Sequence, residues 1–162
     1  MVLKKLFPQN YNINQLPEDA LFGFRRKFDI HTGIDLHCDH KQPVYSLEDG
    51  IIQKIELFTG SKVGSEWWNE TFYVGVLGKS GYIVYGEILP ENSLKIGDKI
   101  KIGTLLGHVE TVLKKDKGRP MNMLHIELYS KVIDDPVIWK LDEEKPKELK
   151  NPNILFSLHK HK

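Results

Sequence analysis

Short β-prone runs separated by turn signals recur through the middle of this chain, and they limit its fold more than any other feature. The runs are rich in Val, Ile, Tyr and Phe and span residues 43–47, 50–55, 72–77 and 82–85. Turn signals separate them at Asp49-Gly50, 79–81 and Gly97-Asp98. No 12-residue window has a convincing helical period of 3.6. The pattern predicts an all-β fold, an antiparallel sandwich or compact barrel-like sheet with little helix.

Residues 94–109 strengthen this prediction. Apolar and polar side chains alternate there around Gly97, Gly103 and Gly107. Glycine inside strand-like sequence often marks a tight bend or a close approach of another backbone. The segment therefore indicates tight turns and close strand crossings within a small sheet.

The chain has 162 residues, which is the length of one domain with a full hydrophobic core. Residues 1–20 are interpreted as an irregular lead-in, and 21–130 as the β domain. Residues 131–162 are interpreted as a charged loop and a closing segment of the same domain. The histidines at 159 and 161 are interpreted as part of a frayed end rather than a metal site.

Charge and hydropathy limit the partners. The formal net charge is +1, so there is no electrostatic case for nucleic acid. No run approaches the ~20 apolar residues that span a bilayer, and the first residues lack the apolar core of a signal peptide. We expect a monomer that is cytoplasmic as written; the alternatives are export by another route or a signal upstream of this chain.

The single cysteine, Cys38, excludes an intramolecular disulfide. It lies among His37, Asp39 and His40, so a ligand or redox role is an alternative to a free thiol. We interpret it as a free thiol.

Two histidines and a carboxylate form a candidate metal site. His31 and Asp35 lie four residues apart, and His125 follows about ninety residues later. Four residues of extended strand span about 13 Å, whereas each zinc–ligand bond is only ~2.0–2.2 Å. The chain must therefore bend between His31 and Asp35, and Gly33 permits such a turn.

The segment 123–128 alternates as a strand. Met123, His125 and Glu127 share one face, and the leucines and isoleucine between them share the other. The second face is predicted to be core, and the first to direct His125 toward polar surroundings. From these residues alone, a hydrogen-bonded or exposed imidazole remains an alternative to a metal ligand.

Several blocks of the sequence resemble, in the right order, the lysostaphin-type zinc endopeptidases that cut bacterial cell-wall peptides. The blocks are 22–25 with 31–36, 43–45 with 48–52, 85–87, 94–107, 124–128 and Asn151-Pro152. The resemblance covers roughly residues 20–130. It implies the barrel-sandwich hybrid fold of that family.

The same resemblance implies a zinc ion (Zn2+) held by His31, Asp35 and His125. It also implies two catalytic histidines beside the metal-bound water, and those positions hold Glu87 and Met123 here. A thioether can neither transfer a proton nor donate a hydrogen bond.

Two residues are candidates for the missing chemistry. Glu87 is interpreted as a base beside zinc, with two alternatives: a carboxylate that orients a ligand histidine, and a surface carboxylate. Tyr85 has the same strand parity as Glu87, so its hydroxyl is a candidate donor toward the site.

We therefore predict a zinc-binding metallopeptidase-like domain, an atypical endopeptidase whose substrate is a peptide or peptidoglycan. The alternative is a catalytically inactive zinc-binding recognition module on the same fold. Two other classes fit less well. Biotin- and lipoyl-carrier domains need a lysine where this chain has Asn122, and sugar-phosphotransferase carriers place the Asp-Gly hairpin before the histidine, whereas Asp49-Gly50 follows His31.

Overall fold

A computed structural model describes residues 5–116, 118 and 120–157. Within this part of the chain the strands are β1 Asp29–Ile30, β2 Ile34–His37, β3 Pro43–Tyr45, β4 Gly50–Thr59, β5 Thr71–Gly78, β6 Gly81–Pro90, β7 Lys99–Ile100, β8 Leu105–Val109, β9 Met123–Tyr129, β10 Trp139–Lys140 and β11 Leu149–Lys150. Helix among the described residues is limited to α1, Ile154–Ser157, and to 3-10 turns at Ile13–Gln15, Glu18–Ala20 and Ser61–Val63. No helix among these residues is long and apolar enough to cross a membrane.

The strands form one large antiparallel sheet and one small ribbon. The large sheet has the order β11-β9-β6-β5-β4-β7, with β2 added to β9 and with β8 joining β6 and β3. The ribbon pairs β1 with β10. Every strand pairing is antiparallel. The prediction of an all-β, antiparallel fold with little helix is confirmed.

Strand β9 divides the sheet into two faces as its alternation predicted. Leu124, Ile126 and Leu128 are fully buried in the main hydrophobic core. Val76, Ile83 and Leu106 from neighbouring strands pack in the same core. Residues 5–20 contain two 3-10 turns, and partly buried side chains at Tyr11, Ile13 and Leu16 pack against this core.

The opposite face of the sheet carries a second, aromatic cluster. Its buried members are Tyr73, Tyr82, Val84, Tyr129 and Leu149. Residues 131–148, which we call the strap, lie against it through Val132, Ile133, Val137 and Trp139. A hydrogen bond also joins the strap to β4, because the ammonium of Lys54 donates to the carbonyl of Asp134 at 2.6 Å. The face of β9 that carries His125 therefore continues to Tyr129, where the strap covers the sheet.

Strand β6 contains a bulge at Glu87. Gly86 pairs with Tyr73 and Ile88 pairs with Phe72, so no residue of β5 faces Glu87. Glu87 has a φ of 65°, a left-handed conformation that is uncommon for a residue with a side chain. At the same point β6 changes partner, from β9 to β8. Such a bulge redirects a side chain and interrupts the simple alternation of a strand.

Candidate metal centre

Cross-strand pairing brings the predicted ligands together. Strand β2 carries Asp35, and its register with β9 places Asp35 directly opposite His125. His31 lies just after β1 and reaches the same point through the turn at residues 32–33. One ligand atom from each of the three side chains lies within 4.8 Å of the other two. All three side chains are buried.

Gly33 is required by a close approach of strand β9. A Cβ atom at this position would lie 2.3 Å from the carbonyl oxygen of Ile126 and 2.9 Å from Nε2 of His125. Any side chain would therefore push β2 away from β9. The sequence places Gly33 in a turn, and the structure adds the contact with His125 as a reason for glycine.

His31 presents one nitrogen without a hydrogen bond. Its Nδ1 lies 2.9 Å from the carbonyl oxygen of Leu21, which only accepts, so Nδ1 carries the proton. Its Nε2 is buried, has no hydrogen-bond partner among the described residues, and lies 3.1 Å from Oδ2 of Asp35. In the neutral ring that nitrogen holds a lone pair. A buried lone pair beside a carboxylate fits a metal ligand, because a cation can satisfy both groups.

His125 is held at both nitrogens by carboxylates. Its Nδ1 lies 2.7 Å from Oδ1 of Asp35, and its Nε2 lies 2.7 Å from Oε2 of Glu127. Thr32 donates to the same Glu127 oxygen at 2.8 Å, and Tyr129 donates to the other. Glu127 is not among the site residues predicted from sequence, although its position on the same face of β9 as His125 is a usable signal.

Asp35 and His125 shift each other's pKa. Burial alone would raise the pKa of Asp35, but the hydrogen bond from His125 and the proximity of both imidazoles hold it well below its usual range. Burial alone would lower the pKa of His125, but Asp35 and Glu127 raise it well above its ordinary value. A proton on His125 therefore balances the two carboxylates in the metal-free chain, and a metal ion can replace that positive charge.

Arg26 adds a second positive charge at the rim. Its guanidinium lies 3.3 Å from Oδ2 of Asp35, and its side chain is 42% exposed. The sequence analysis did not single out this residue. Because the side chain reaches from solvent to the buried carboxylate, it marks the open side of the cluster.

Glu87 has the electrostatics of a proton carrier. Its Oε2 is buried without a hydrogen-bond partner among the described residues. Burial and the negative charge of Asp35 raise the pKa of Glu87 to about 8, against the opposing charges of His125 and Arg26. A carboxyl group with such a pKa can hold or release a proton near neutral pH.

Tyr85 does not point toward the cluster, which corrects the expectation from strand parity. Its ring lies in the main core, and its hydroxyl accepts a hydrogen bond of 2.9 Å from the amide of Leu47. The bulge at Glu87 is the physical reason, because it breaks the alternation that would have put the two side chains on one face. Met123 begins β9 opposite His37 and offers only a thioether.

The other described histidines and the cysteine lie outside the metal cluster. Cys38 is a free, half-buried thiol, and burial raises its pKa to about 12. His40 shares a hydrogen bond of 3.1 Å with the hydroxyl of Thr111. The histidines at 159 and 161 lie outside the described residues.

Comparison with known proteins identifies the fold. The sequence matches no protein-family model and no curated protein. The catalytic domain of the antimicrobial peptidase lysostaphin from Staphylococcus simulans aligns with a TM-score of 0.56 at 15% identity, covering 85% of this chain and 89% of that one. Lysostaphin itself aligns with a TM-score of 0.60 at 15% identity, over 91% of this chain and 52% of that one.

A third solved structure is a mutant catalytic domain of the prophage-encoded M23 protein EnpA from Enterococcus faecalis. It aligns with a TM-score of 0.52 at 22% identity, covering 83% of this chain and 86% of that one. The chain thus has the all-β fold of lysostaphin-type M23 peptidase domains. It spans about half the length of lysostaphin.

Proposed function

We propose that this chain is a zinc-binding, metallopeptidase-like domain that acts as an atypical endopeptidase on cell-wall peptides. The observation that carries the proposal is the unpartnered, buried Nε2 of His31 beside Asp35 and His125. Two imidazoles and a carboxylate are a ligand set used by catalytic zinc sites that keep a fourth position open. The fold shared with the catalytic domain of the peptidase lysostaphin supports the same reaction class.

The side chains define what this site contributes to hydrolysis. Zinc, when bound, supplies a Lewis acid and a water of lowered pKa. Asp35, His31 and His125 would hold the ion, and their burial excludes competing solvent from the cluster. Glu87 holds a proton up to about pH 8 and can exchange it with a reacting group on the open side. Arg26 lies on that side and can face an anionic group of a substrate.

Met123 limits the expected rate. Proton transfer by a positioned side chain contributes typically ~10²–10⁴-fold to catalysis. A thioether supplies none of this, so one of the two usual proton-transfer positions is inert. We expect slow hydrolysis that depends on Glu87.

The second candidate is a recognition module that binds zinc and a cell-wall peptide without cutting it. Two observations favour it: the thioether of Met123, and the strap, which covers the part of the sheet face that continues from His125 to Tyr129. Zinc content does not separate the two candidates, but turnover does.

The test compares wild type, Glu87→Gln and Met123→His on cell-wall peptides at saturating zinc. The proposal predicts slow cleavage by wild type and a loss of roughly 10²-fold or more in Glu87→Gln. Equal inactivity of wild type and Glu87→Gln would leave the recognition module as the function. A gain of activity in Met123→His would show that the site has peptidase geometry and lacks one proton-transfer group.

A further inference from the structure

The two nitrogens of His125 face different surroundings. Nδ1 faces Asp35 at 2.7 Å, on the side where the unpartnered nitrogen of His31 also lies. Nε2 points the other way, to the carboxylate of Glu127 at 2.7 Å. A metal held with His31 and Asp35 would therefore meet Nδ1, and only a ring with its proton on Nε2 has a lone pair there.

The carboxylate of Glu127 is held in place by hydrogen bonds and faces Nε2 of His125. It is buried, with 2% of its surface exposed. One oxygen accepts from Thr32 and faces His125, and the other accepts from Tyr129. Tyr129 in turn accepts from the backbone amide of Val137 at 3.1 Å, in the strap. Thr32 and Tyr129 both donate to Glu127, so its carboxylate is fixed as an acceptor toward His125.

We propose that Glu127 is a positioning residue that keeps the proton of His125 on Nε2 and thereby makes Nδ1 the metal ligand. This inference rests on the proposed zinc site and deepens it. The hydrogen-bond chain from Val137 through Tyr129 and Glu127 to His125 also connects the strap with the metal centre. Carboxylates that accept from a ligand histidine fix its ring and its tautomer, and their loss typically weakens metal binding by ~10–100-fold.

The chain contains a matched control pair. Tyr73 lies in the same aromatic cluster as Tyr129 and donates to the carboxylate of Glu56 at 3.0 Å. That carboxylate contacts no histidine in the described hydrogen bonds. Glu127→Gln and Tyr129→Phe change the pair that reaches His125, and Glu56→Gln and Tyr73→Phe change the pair that does not.

Glutamine is the informative replacement because it keeps the shape of Glu127 and loses its charge. Its amide nitrogen is a donor, and it would face either the hydroxyl of Tyr129 or the ring of His125, which are donors themselves. If the amide nitrogen faces His125, the proton on Nε2 loses its acceptor. If it faces Tyr129, a neutral carbonyl oxygen replaces the charged carboxylate beside Nε2. Both orientations weaken the preference for a proton on Nε2.

The first measurement is zinc affinity by competition with a chromophoric chelator, with the Co2+ absorption spectrum as a report on ligand geometry. We expect Glu127→Gln to bind zinc about 10–100-fold more weakly and to alter the Co2+ spectrum. Tyr129→Phe should show a smaller loss, and both control variants should match wild type. A folded Glu127→Gln with wild-type zinc affinity and Co2+ spectrum would overturn the proposal. If Glu127→Gln does not fold, equal losses of zinc affinity in Tyr129→Phe and Tyr73→Phe would overturn it.

The second measurement needs no metal. Long-range ¹H–¹⁵N spectra of the metal-free chain report which nitrogens of His125 carry protons. We expect Nε2 to carry a proton in wild type and in Glu56→Gln, whether or not Nδ1 also carries one toward Asp35, and the Nε2 resonance to change in Glu127→Gln. An unprotonated Nε2 in wild type would contradict the role of Glu127 even where zinc binds. If wild type binds no zinc, the proposed function fails, while the comparison of wild type with Glu127→Gln still decides whether Glu127 holds a proton on Nε2.

Discussion

The two sides of the metal cluster are built differently. On one side, Asp35 and His125 face each other across regularly paired strands, and each makes contacts to further side chains. On the other side, Glu87 sits on a bulge with a left-handed backbone, and one of its oxygens has no partner in the described structure. The ligand side is held by many mutually consistent contacts. On the Glu87 side, the backbone of Glu87 has an unfavourable left-handed conformation. Burial and the charge of Asp35 keep its carboxyl group protonated up to about pH 8.

Because of this difference, substitutions on the two sides should affect different functions. Changes on the ligand side should remove metal binding together with stability. Removing the titratable group of Glu87 should affect proton transfer while leaving the ligands in place. The following predictions test whether the two sides separate in this way.

The largest expected effect is on the ligand side. His125→Ala removes one of three ligands, so zinc affinity should fall by at least ~100-fold. Competition titration with a chelator measures this loss. His108→Ala is the control, because His108 lies 3.4 Å from Glu91 and outside the cluster. Equal zinc affinity in the two variants would show that the cluster is not the metal site.

Glu87 should make the stability of the metal-free chain depend on pH. Its pKa rises from an ordinary 4.5 to about 8 on folding, so the folded state keeps a proton that the unfolded state releases. Its contribution to stability is therefore fully present below about pH 4.5 and is lost as pH rises toward 8. Urea unfolding at several pH values measures the free energy of unfolding of wild type and Glu87→Gln. As pH rises across this range, wild type should lose stability relative to the variant.

The exposed Glu66 supplies the control for this experiment. Glu66→Gln removes the same charge without removing a buried carboxyl group. A pH dependence of Glu87→Gln that is the same as that of Glu66→Gln would contradict the distinction between the two sides of the cluster.

Gly33→Ala should damage the ligand side without changing any ligand. The new Cβ would lie 2.3 Å from the carbonyl oxygen of Ile126, so β2 and β9 must separate. Forcing extra volume into a packed site costs about 1–3 kcal/mol of unfolding free energy. Urea unfolding measures the loss, and zinc affinity should fall with it. Unchanged stability would mean that the close pairing of Asp35 with His125 is not a constraint.

The smallest effect is expected at Tyr85. Tyr85→Phe removes the hydroxyl that accepts from the Leu47 amide, which should cost about 1 kcal/mol of stability. Zinc affinity and turnover should not change, because the hydroxyl lies in the main core. A selective loss of turnover with unchanged stability would restore the catalytic role that strand parity suggested.

Sequence patterns predicted the regular parts of this molecule well. The alternation of 123–128 predicted which face of β9 is core, and the run of β-prone segments predicted an antiparallel all-β fold. The structure also brings together His31, Asp35 and His125, as their spacing and the resemblance suggested. These features depend on local periodicity and on the order of motifs along the chain.

The irregular parts of the site could not be predicted in the same way. The bulge at Glu87 adds one residue to a strand, and nothing in the local pattern marks it; the parity assigned to Tyr85 therefore failed. The carbonyl of Leu21 holds His31 through a tertiary contact that no side-chain motif encodes. Glu127 was visible on the correct face, but its role depends on the geometry of Thr32 and Tyr129 around it.

Zinc titration of the metal-free wild-type chain at neutral pH, followed by calorimetry, decides whether His31, Asp35 and His125 form a metal site. We expect one zinc per chain, with affinity that weakens as pH falls through the range in which histidines become protonated. No saturable binding at neutral pH, or binding that does not weaken on acidification, would contradict it.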